Sequence, residues 1–436
     1  MTAQGDGAGR RERPRLIQPL FDFLRTEAAG GVALVAATGV ALVWANSPWD
    51  ESYWDLWSTR LAISVGDRAL DLDLRHWINE GLMAIYFFVV GLEIKRELVE
   101  GELRDPRKAA LPVIAALGGM VAPAAIYAAL NAGSPGADGW GIPMATDIAM
   151  AIGVLSLLGD RVSPSLKLFV LALAIVDDIG AIGVIAVFYT EHLRGDALLV
   201  SILLVAVLAL MRRAGVRQVL AYVAVGVALW FFVHESGIHA TLAGVVLGLM
   251  TPTQPARQHD HIDAAELADV SSYQAAKWTV VAAREAVSVV VWLERLLHPW
   301  TSFVIVPLFA LANAGVVLSD DTIGEALTSS VSAGVVLGLV LGKTVGITTF
   351  SLLAVRLRVA RLPNGVSWPE IVAVSALAGI GFTVSLFVAG LAFPESPALE
   401  EQAKVAILAA SLVAALLGAG LLLAAGKRDR RAAREG

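Results

Sequence analysis

Residues 166–190 read LKLFVLALAIVDDIGAIGVIAVFYT. Between Lys167 and the closing Tyr189-Thr190 the run is apolar or small except for one acidic couple, Asp177-Asp178. A helix rises 1.5 Å per residue, so a run of this length crosses the ~30 Å hydrocarbon core of a bilayer. The couple lies about ten residues from Lys167 and about twelve from Thr190, which puts it near the midplane. A charged side chain there costs ~2.5–3.5 kcal/mol, so it marks a transport path or a paired site.

Working outward, apolar windows of the same kind fall near 28–46, 77–92, 109–130, 141–159, 197–211, 218–234, 237–250, 300–318, 331–355, 368–392 and 403–426. With 166–190 they make twelve expected spans. Composition agrees. Hydrophobic residues are 57% of the 436 and the 40 glycines raise the apolar share to roughly 66%, above the about 45–50% of soluble domains. Mean hydropathy is +0.69. This excludes an ordinary soluble domain and a disordered chain. The net charge of −6 argues against a nucleic-acid partner. With 0 cysteines there is no disulfide scaffold, Cys-ligated metal or thiol catalysis.

An even number of spans puts both termini on one side. If that side is the cytoplasm, inside segments carry 27 of the 33 Lys and Arg residues and outside segments carry 4. The other two are Lys343, inside a span, and Lys404, at the start of the last one. The positive-inside rule is met, which supports the count and the orientation. The first apolar run lacks a small-residue cleavage pattern after a short core, so it reads as a retained span and not a signal peptide. The expected organisation is a cytoplasmic extension at 1–27, one twelve-span domain at 28–426 and a basic cytoplasmic tail at 427–436. The long inside loop, 251–298, turns helical in period over Ala275–Leu297 and reads as an amphipathic or interfacial segment.

One outside loop, within 51–75, has its own pattern. Leu61, Ile63 and Val65 alternate with small or polar residues; Gly66-Asp67 follows; Leu70, Leu72 and Leu74 then alternate with Asp71 and Asp73. Period two on both sides of a Gly-Asp turn predicts a β-hairpin. Periodicity leaves two roles open: a cap on its own helices, or pairing with the hairpin of a second copy.

The charges within spans are Asp147, Asp177, Asp178 and Lys343. Consecutive helical residues point ~100° apart, so Asp177 and Asp178 cannot face one partner alike, and two roles follow. The alternative is a structural acid pair, which is costly with nothing to bind. Lys343, thirteen residues from both Ser330 and Arg356, shares that depth and needs one of the aspartates as counter-ion. Asp147 sits in Gly141-Ile-Pro-Met-Ala-Thr-Asp-Ile148, where Thr146-Asp147 after Gly-x-Pro reads as a helix start in mid-span. Gly379 and Gly381 interrupt a second span at Ala376-Leu-Ala-Gly-Ile-Gly-Phe-Thr383. Two interrupted spans point to an ion site, because non-helical backbone at that depth survives only where protein covers it or a cavity meets it. Gly153, Gly244 and Gly248 read instead as packing surfaces. Carboxylates, a hydroxyl and free carbonyls are oxygen ligands, which suit a hard cation. A buried aspartate can trade a small cation for a proton, since both neutralise the same charge.

A second cluster closes the second span at Gly91-Leu-Glu-Ile-Lys-Arg-Glu-Leu98, where Glu93 and Glu97 share a face and Arg96 lies one turn from Glu93. Glu294 and His298 are also four apart, just before the ninth window. Such clusters can be solvated helix ends, or sensors, since histidine changes charge near neutrality.

Together Gly91–Leu98, Ile142–Gly153, Leu171–Ile182, Ser236–Gly244, Leu297–Gly315, Gly342-Lys343 and Gly379–Ser385 resemble the bacterial sodium/proton antiporter A (NhaA) family, in order, over roughly residues 17–426. The resemblance implies an all-α polytopic membrane protein of about twelve transmembrane helices. The fourth and eleventh would be interrupted and cross as inverted repeats, and a small periplasmic β-hairpin is added. It implies Asp178 as sodium ligand and proton site, Asp177 as partner carboxylate paired with Lys343, and Thr146 and Asp147 at the break, with Na+ held by Asp178, Asp177 and Thr146. It makes Glu93, Arg96, Glu97, Glu294 and His298 a cytoplasmic pH-sensing cluster, with His239 a pH-influencing histidine. It implies a homodimer through the 61–74 hairpin and a bacterial inner-membrane location with both termini cytoplasmic. It implies no enzyme activity, no cofactor beyond the transported Na+ or Li+ and H+, and no further protein or nucleic-acid partner outside the lipid bilayer. Arg295 departs from the second histidine that some members carry.

Three rival functions fit the sequence less well. A sodium-coupled symporter of an organic solute would need an aromatic or polar box, and none stands out. An intramembrane diaspartyl protease would need a Gly-x-Gly-Asp setting, where Asp177 follows Ala174-Ile-Val. A retinal pump could use Lys343, against which the span count argues.

Overall fold

The computed structural model describes residues 18–65, 68–190, 193–216, 218–253 and 288–435. Residues 1–17 of the extension, the Gly66-Asp67 turn and 275–287 of the amphipathic segment lie outside the described residues. Among those described, 9 helices are long and apolar enough to cross a membrane. Trp368–Leu377 and Phe382–Ala392, bent by 46° at their break, make up to 10. The shorter apolar helices Val219–Glu235 and Thr241–Met250 fall on the seventh and eighth windows, so each window holds helical backbone. This is a multi-pass membrane protein.

Boundaries moved where charges are paired. The second span runs Leu74–Val99 and so takes in Glu93, Arg96 and Glu97. The ninth runs Val289–Asn313, not 300–318, and takes in Glu294 and His298. Hydropathy windows stop at charged residues, but Arg96–Glu294 and His298–Glu93 pair across the two helices, which keeps those charges compatible with a span. The last helix, Pro397–Glu435, starts before its window; Lys404 is buried there and pairs with Glu400 at 2.6 Å. The first helix begins at Gln18, within the expected extension.

Small residues let the spans approach. A Cβ on Gly244 or Gly248 would run into backbone of the second span at Ala84, Phe88 or Gly91. Gly153 was expected to pack likewise but meets only Ala28, at 3.9 Å. π-helical turns interrupt three spans, at Trp77–Leu82, Thr301–Ile305 and Gly338–Gly342. Such turns are frequent at functional sites, and the third ends directly before Lys343.

The hairpin forms as Arg60–Val65 and Arg68–Asp73, antiparallel, with Leu61 opposite Leu72 and Ile63 opposite Leu70. Its base is tied to its own chain: the Trp77 indole N–H donates to the Leu61 carbonyl at 2.9 Å. Leu61 and Ile63 remain 47% and 50% exposed. Two short helices were not expected, Asp50–Ser58 and Asp320–Thr328. The first buries Tyr53, whose hydroxyl donates to the Leu311 carbonyl at 2.8 Å and closes the outer end of the ninth span.

Candidate ion-binding site

The fourth span is interrupted as expected. Ala137–Met144 is 3-10 helix, the chain is extended through 145–147, and α-helix resumes at Ile148–Leu157. Asp147 caps that helix, its carboxylate accepting from the Met150 N–H at 2.9 Å. The second break, 378–381, lies against the first. The Asp147 N–H donates to the Ile380 carbonyl at 2.6 Å. Thr383 donates to Asp147 Oδ2 from its N–H at 3.1 Å and its hydroxyl at 2.7 Å. The Ser385 hydroxyl donates to the Ile142 carbonyl at 2.7 Å. Each break thus satisfies backbone groups that the other leaves without helical partners.

Gly379 and Gly381 work by size. Neither has a positive φ. A Cβ on Gly379 would strike the Leu339 carbonyl, and one on Gly381 would lie 2.8 Å from the Leu339 side chain and 3.1 Å from the Ala145 carbonyl. Close approach of the second break to Leu339 of the tenth span, and at Gly381 also to the first break, not looseness of the helix, is what requires glycine here.

The carboxylate helix, Pro164–Phe188, passes this crossing. The Thr146 hydroxyl lies 2.6 Å from Asp177 Oδ2 and 2.9 Å from the Ala378 carbonyl, and its one proton serves one acceptor at a time. Lys343 donates to the same Asp177 oxygen in a fully buried ion pair. Asp178 Oδ1, like Asp177 Oδ1, is buried and receives no hydrogen bond from the described residues. Thr146, Asp147, Asp177, Asp178, Lys343 and Thr383 are all buried. The site therefore holds one neutralised carboxylate beside one left open. Its donors are oxygens, the set a hard monovalent cation takes.

The inner cluster assembles in part. Arg96 pairs with Glu294, and His298 Nδ1 lies 3.7 Å from Glu93 Oε1, joining the second and ninth spans. Glu97 turns away, accepting the Glu102 N–H at 2.7 Å. His239 lies at the opposite, outer end, with Nε2 2.5 Å from the Tyr189 carbonyl and Nδ1 3.8 Å from Glu80 Oε1. Sequence reasoning did not single out Thr383, which holds Asp147, or the Ala378 and Ile380 carbonyls. The only signal was a threonine just past the paired glycines, in the place that Thr146 takes before Asp147.

Two broken spans joined at their breaks around buried carboxylates define a secondary transporter of small cations. A model of the family Na+/H+ antiporter 1 matches residues 21–422. The Na(+)/H(+) antiporter NhaA of Rhodopirellula baltica is 48% identical over 425 residues, covering 94% of each chain. The NhaA 3 of Frankia alni is 46% identical, covering 97% of this chain and 92% of that one. The NhaA of Rhizobium meliloti is 46% identical, covering 94% and 95%. The chain belongs to the Na+/H+ antiporter NhaA family, a type case of this broken-helix geometry. Neither the family nor these relatives supports the organic-solute symporter.

Proposed function

We propose that this protein exchanges cytoplasmic Na+ or Li+ for external H+, electrogenically and under pH control, and so extrudes sodium and holds internal pH. It works in the bacterial inner membrane with both termini cytoplasmic, a placement supported by the lysine and arginine distribution. The observation that carries the reading is the unequal carboxylate pair. Lys343 neutralises Asp177, while no lysine or arginine among the described residues pairs with Asp178, whose buried Oδ1 receives no hydrogen bond from them. Asp178 takes either a cation or a proton, and the two cannot share it. Thr146 turns its hydroxyl proton between Asp177 and the Ala378 carbonyl and so leaves its lone pairs for the cation. Both cargoes are bare ions, and the exchange makes and breaks no covalent bond but that to the proton; it calls for no cofactor.

The inner junction supports pH control. Histidine loses its charge as pH rises through neutrality, and the His298–Glu93 attraction goes with it. One of the two ties between the second and ninth spans is then lost, while Arg96–Glu294 remains. The open face of the hairpin supports homodimer pairing through 61–74.

The test is proton movement in sealed vesicles on adding Na+, Li+ or K+ across neutral pH. Na+ and Li+ should each move protons and K+ should not. Equal responses to all three cations, or none to any, would end the reading.

A further inference from the structure

The outer limb of the first broken span, Ala137–Met144, is 3-10 helix, so hydroxyls from other elements meet some of its backbone groups. The Tyr127 hydroxyl donates to the Gly136 carbonyl at 2.8 Å, just before the limb. Ser385 takes the Ile142 carbonyl. Tyr189 does two things: its hydroxyl donates to the Asp138 carbonyl at 2.7 Å and accepts from the Gly141 N–H at 3.1 Å. The Trp140 ring stacks on it with centroids 6.4 Å apart.

Tyr189 differs from Tyr127 in what its own backbone holds. It caps the outer end of the carboxylate helix, and its carbonyl takes His239. His239 faces Glu80 of the second span, whose Oε2 accepts the Ala240 N–H at 3.1 Å and lies 4.0 Å from His234. Among the described residues, this face also carries Arg194, 2.9 Å from Glu235 and 3.5 Å from Asp196, and Asp138 at the start of the limb with Glu395 lining the same pocket.

We propose that Tyr189 is a positioning residue for the exchange: its hydroxyl sets the outer limb against the carboxylate helix, and its carbonyl couples that limb to the His239–Glu80 pair. The proposal rests on the exchange reading above. A limb released from Tyr189 spends part of its time with Thr146 displaced from Asp177 and Asp147 from Thr383. Only the aligned fraction binds cation, so apparent affinity falls by that fraction while the groups that bind stay intact.

The experiment uses the full chain in liposomes as Tyr189→Phe, His239→Gln, their double variant, and Tyr127→Phe alone and with His239→Gln. Tyr189→Phe should raise the apparent KM for Na+ about fivefold, the scale of one neutral hydrogen bond, with turnover at saturating Na+ kept. His239→Gln should displace the pH profile of the unmodified protein and of Tyr127→Phe, but not that of Tyr189→Phe. Backbone hydrogen–deuterium exchange over 137–144, which needs no transport, should quicken in Tyr189→Phe. Unchanged KM with unchanged hydrogen exchange overturns the proposal. So does a His239 displacement that survives in full in Tyr189→Phe or is absent from every background. Lost turnover and a lowered thermal midpoint at unchanged KM reduce Tyr189 to a structural contact. Absent Na+-driven proton flux in the unmodified protein would fail the exchange reading instead, and hydrogen exchange over 137–144 would still decide whether Tyr189 holds the limb.

Discussion

Asp177 and Asp178 are neighbours in sequence and opposites in circumstance. Asp177 has a lysine and a threonine on one oxygen; Asp178 Oδ1 has no such partner among the described residues. Asp178→Asn should therefore abolish Na+-dependent proton flux while the protein still inserts and keeps its thermal midpoint in detergent. Flux at the unmodified rate from a well-inserted Asp178→Asn would refute its role. Lys343 calls for a different outcome. Removing one member of a buried ion pair strands the other, at a cost of about 3–5 kcal/mol. Lys343→Ala should lower the thermal midpoint, and Asp177→Asn added to it should restore much of the loss. If the double variant melts no higher than Lys343→Ala alone, the two residues do not depend on each other.

The elements matter through their interruptions. A continuous helix satisfies its own backbone, so the fourth and eleventh spans can break only because each supplies what the other lacks. Asp147 caps the inner limb of the fourth span while Thr383, at the start of the outer limb of the eleventh, donates to it twice. Glycine at 379 and 381 is set by a further close approach, to Leu339 of the tenth span. Gly379→Ala would press a Cβ on the Leu339 carbonyl and to 3.1 Å from Ala414, an overpacking of about 1–3 kcal/mol. Gly153→Ala has only Ala28 at 3.9 Å and should be neutral or slightly stabilising. Thermal midpoints of the two variants, side by side, separate contact from helix propensity: equal shifts would mean that the breaks do not need the close approach.

Across the whole molecule the question is how much charge a cycle moves. Suppose Asp178 sheds its proton for Na+ and the Asp177–Lys343 pair releases a second when it opens. A net charge then crosses per cycle, and the membrane potential contributes ~2.3 kcal/mol per charge per 100 mV to sodium export. Na+ flux in liposomes clamped with K+ and valinomycin should rise at inside-negative potential with equal pH on both sides. Identical rates at zero and inside-negative potential would leave Asp178 as the one carrier. At the same scale, the hairpin's half-exposed Leu61 and Ile63 should join two copies. Removing residues 61–72 should halve the mass measured in detergent while each copy keeps its buried site; an unchanged mass would place the dimer contact elsewhere or nowhere.

The hairpin, the helical backbone in every apolar window and the place of Asp147, Asp177, Asp178 and Lys343 within spans were all legible in the sequence. Each follows from how far a residue lies along an apolar run, and a bilayer turns that distance into depth. The spans that carry Glu93, Arg96, Glu294 and His298 ran longer than hydropathy allowed, because whether a charge fits in a span depends on a partner about two hundred residues away. The resemblance put Glu97 in the cytoplasmic cluster, but folding put it on the Glu102 turn; His239 already fell at the outer start of the eighth window, and folding added Glu80 beside it. Thr383 passed without notice for the same reason. Depth is a property of one chain segment and is written along it. Which side chains meet at that depth is settled by rotation and crossing of helices, and these follow from small-residue contacts such as Gly379 on Leu339 that only the packed molecule contains.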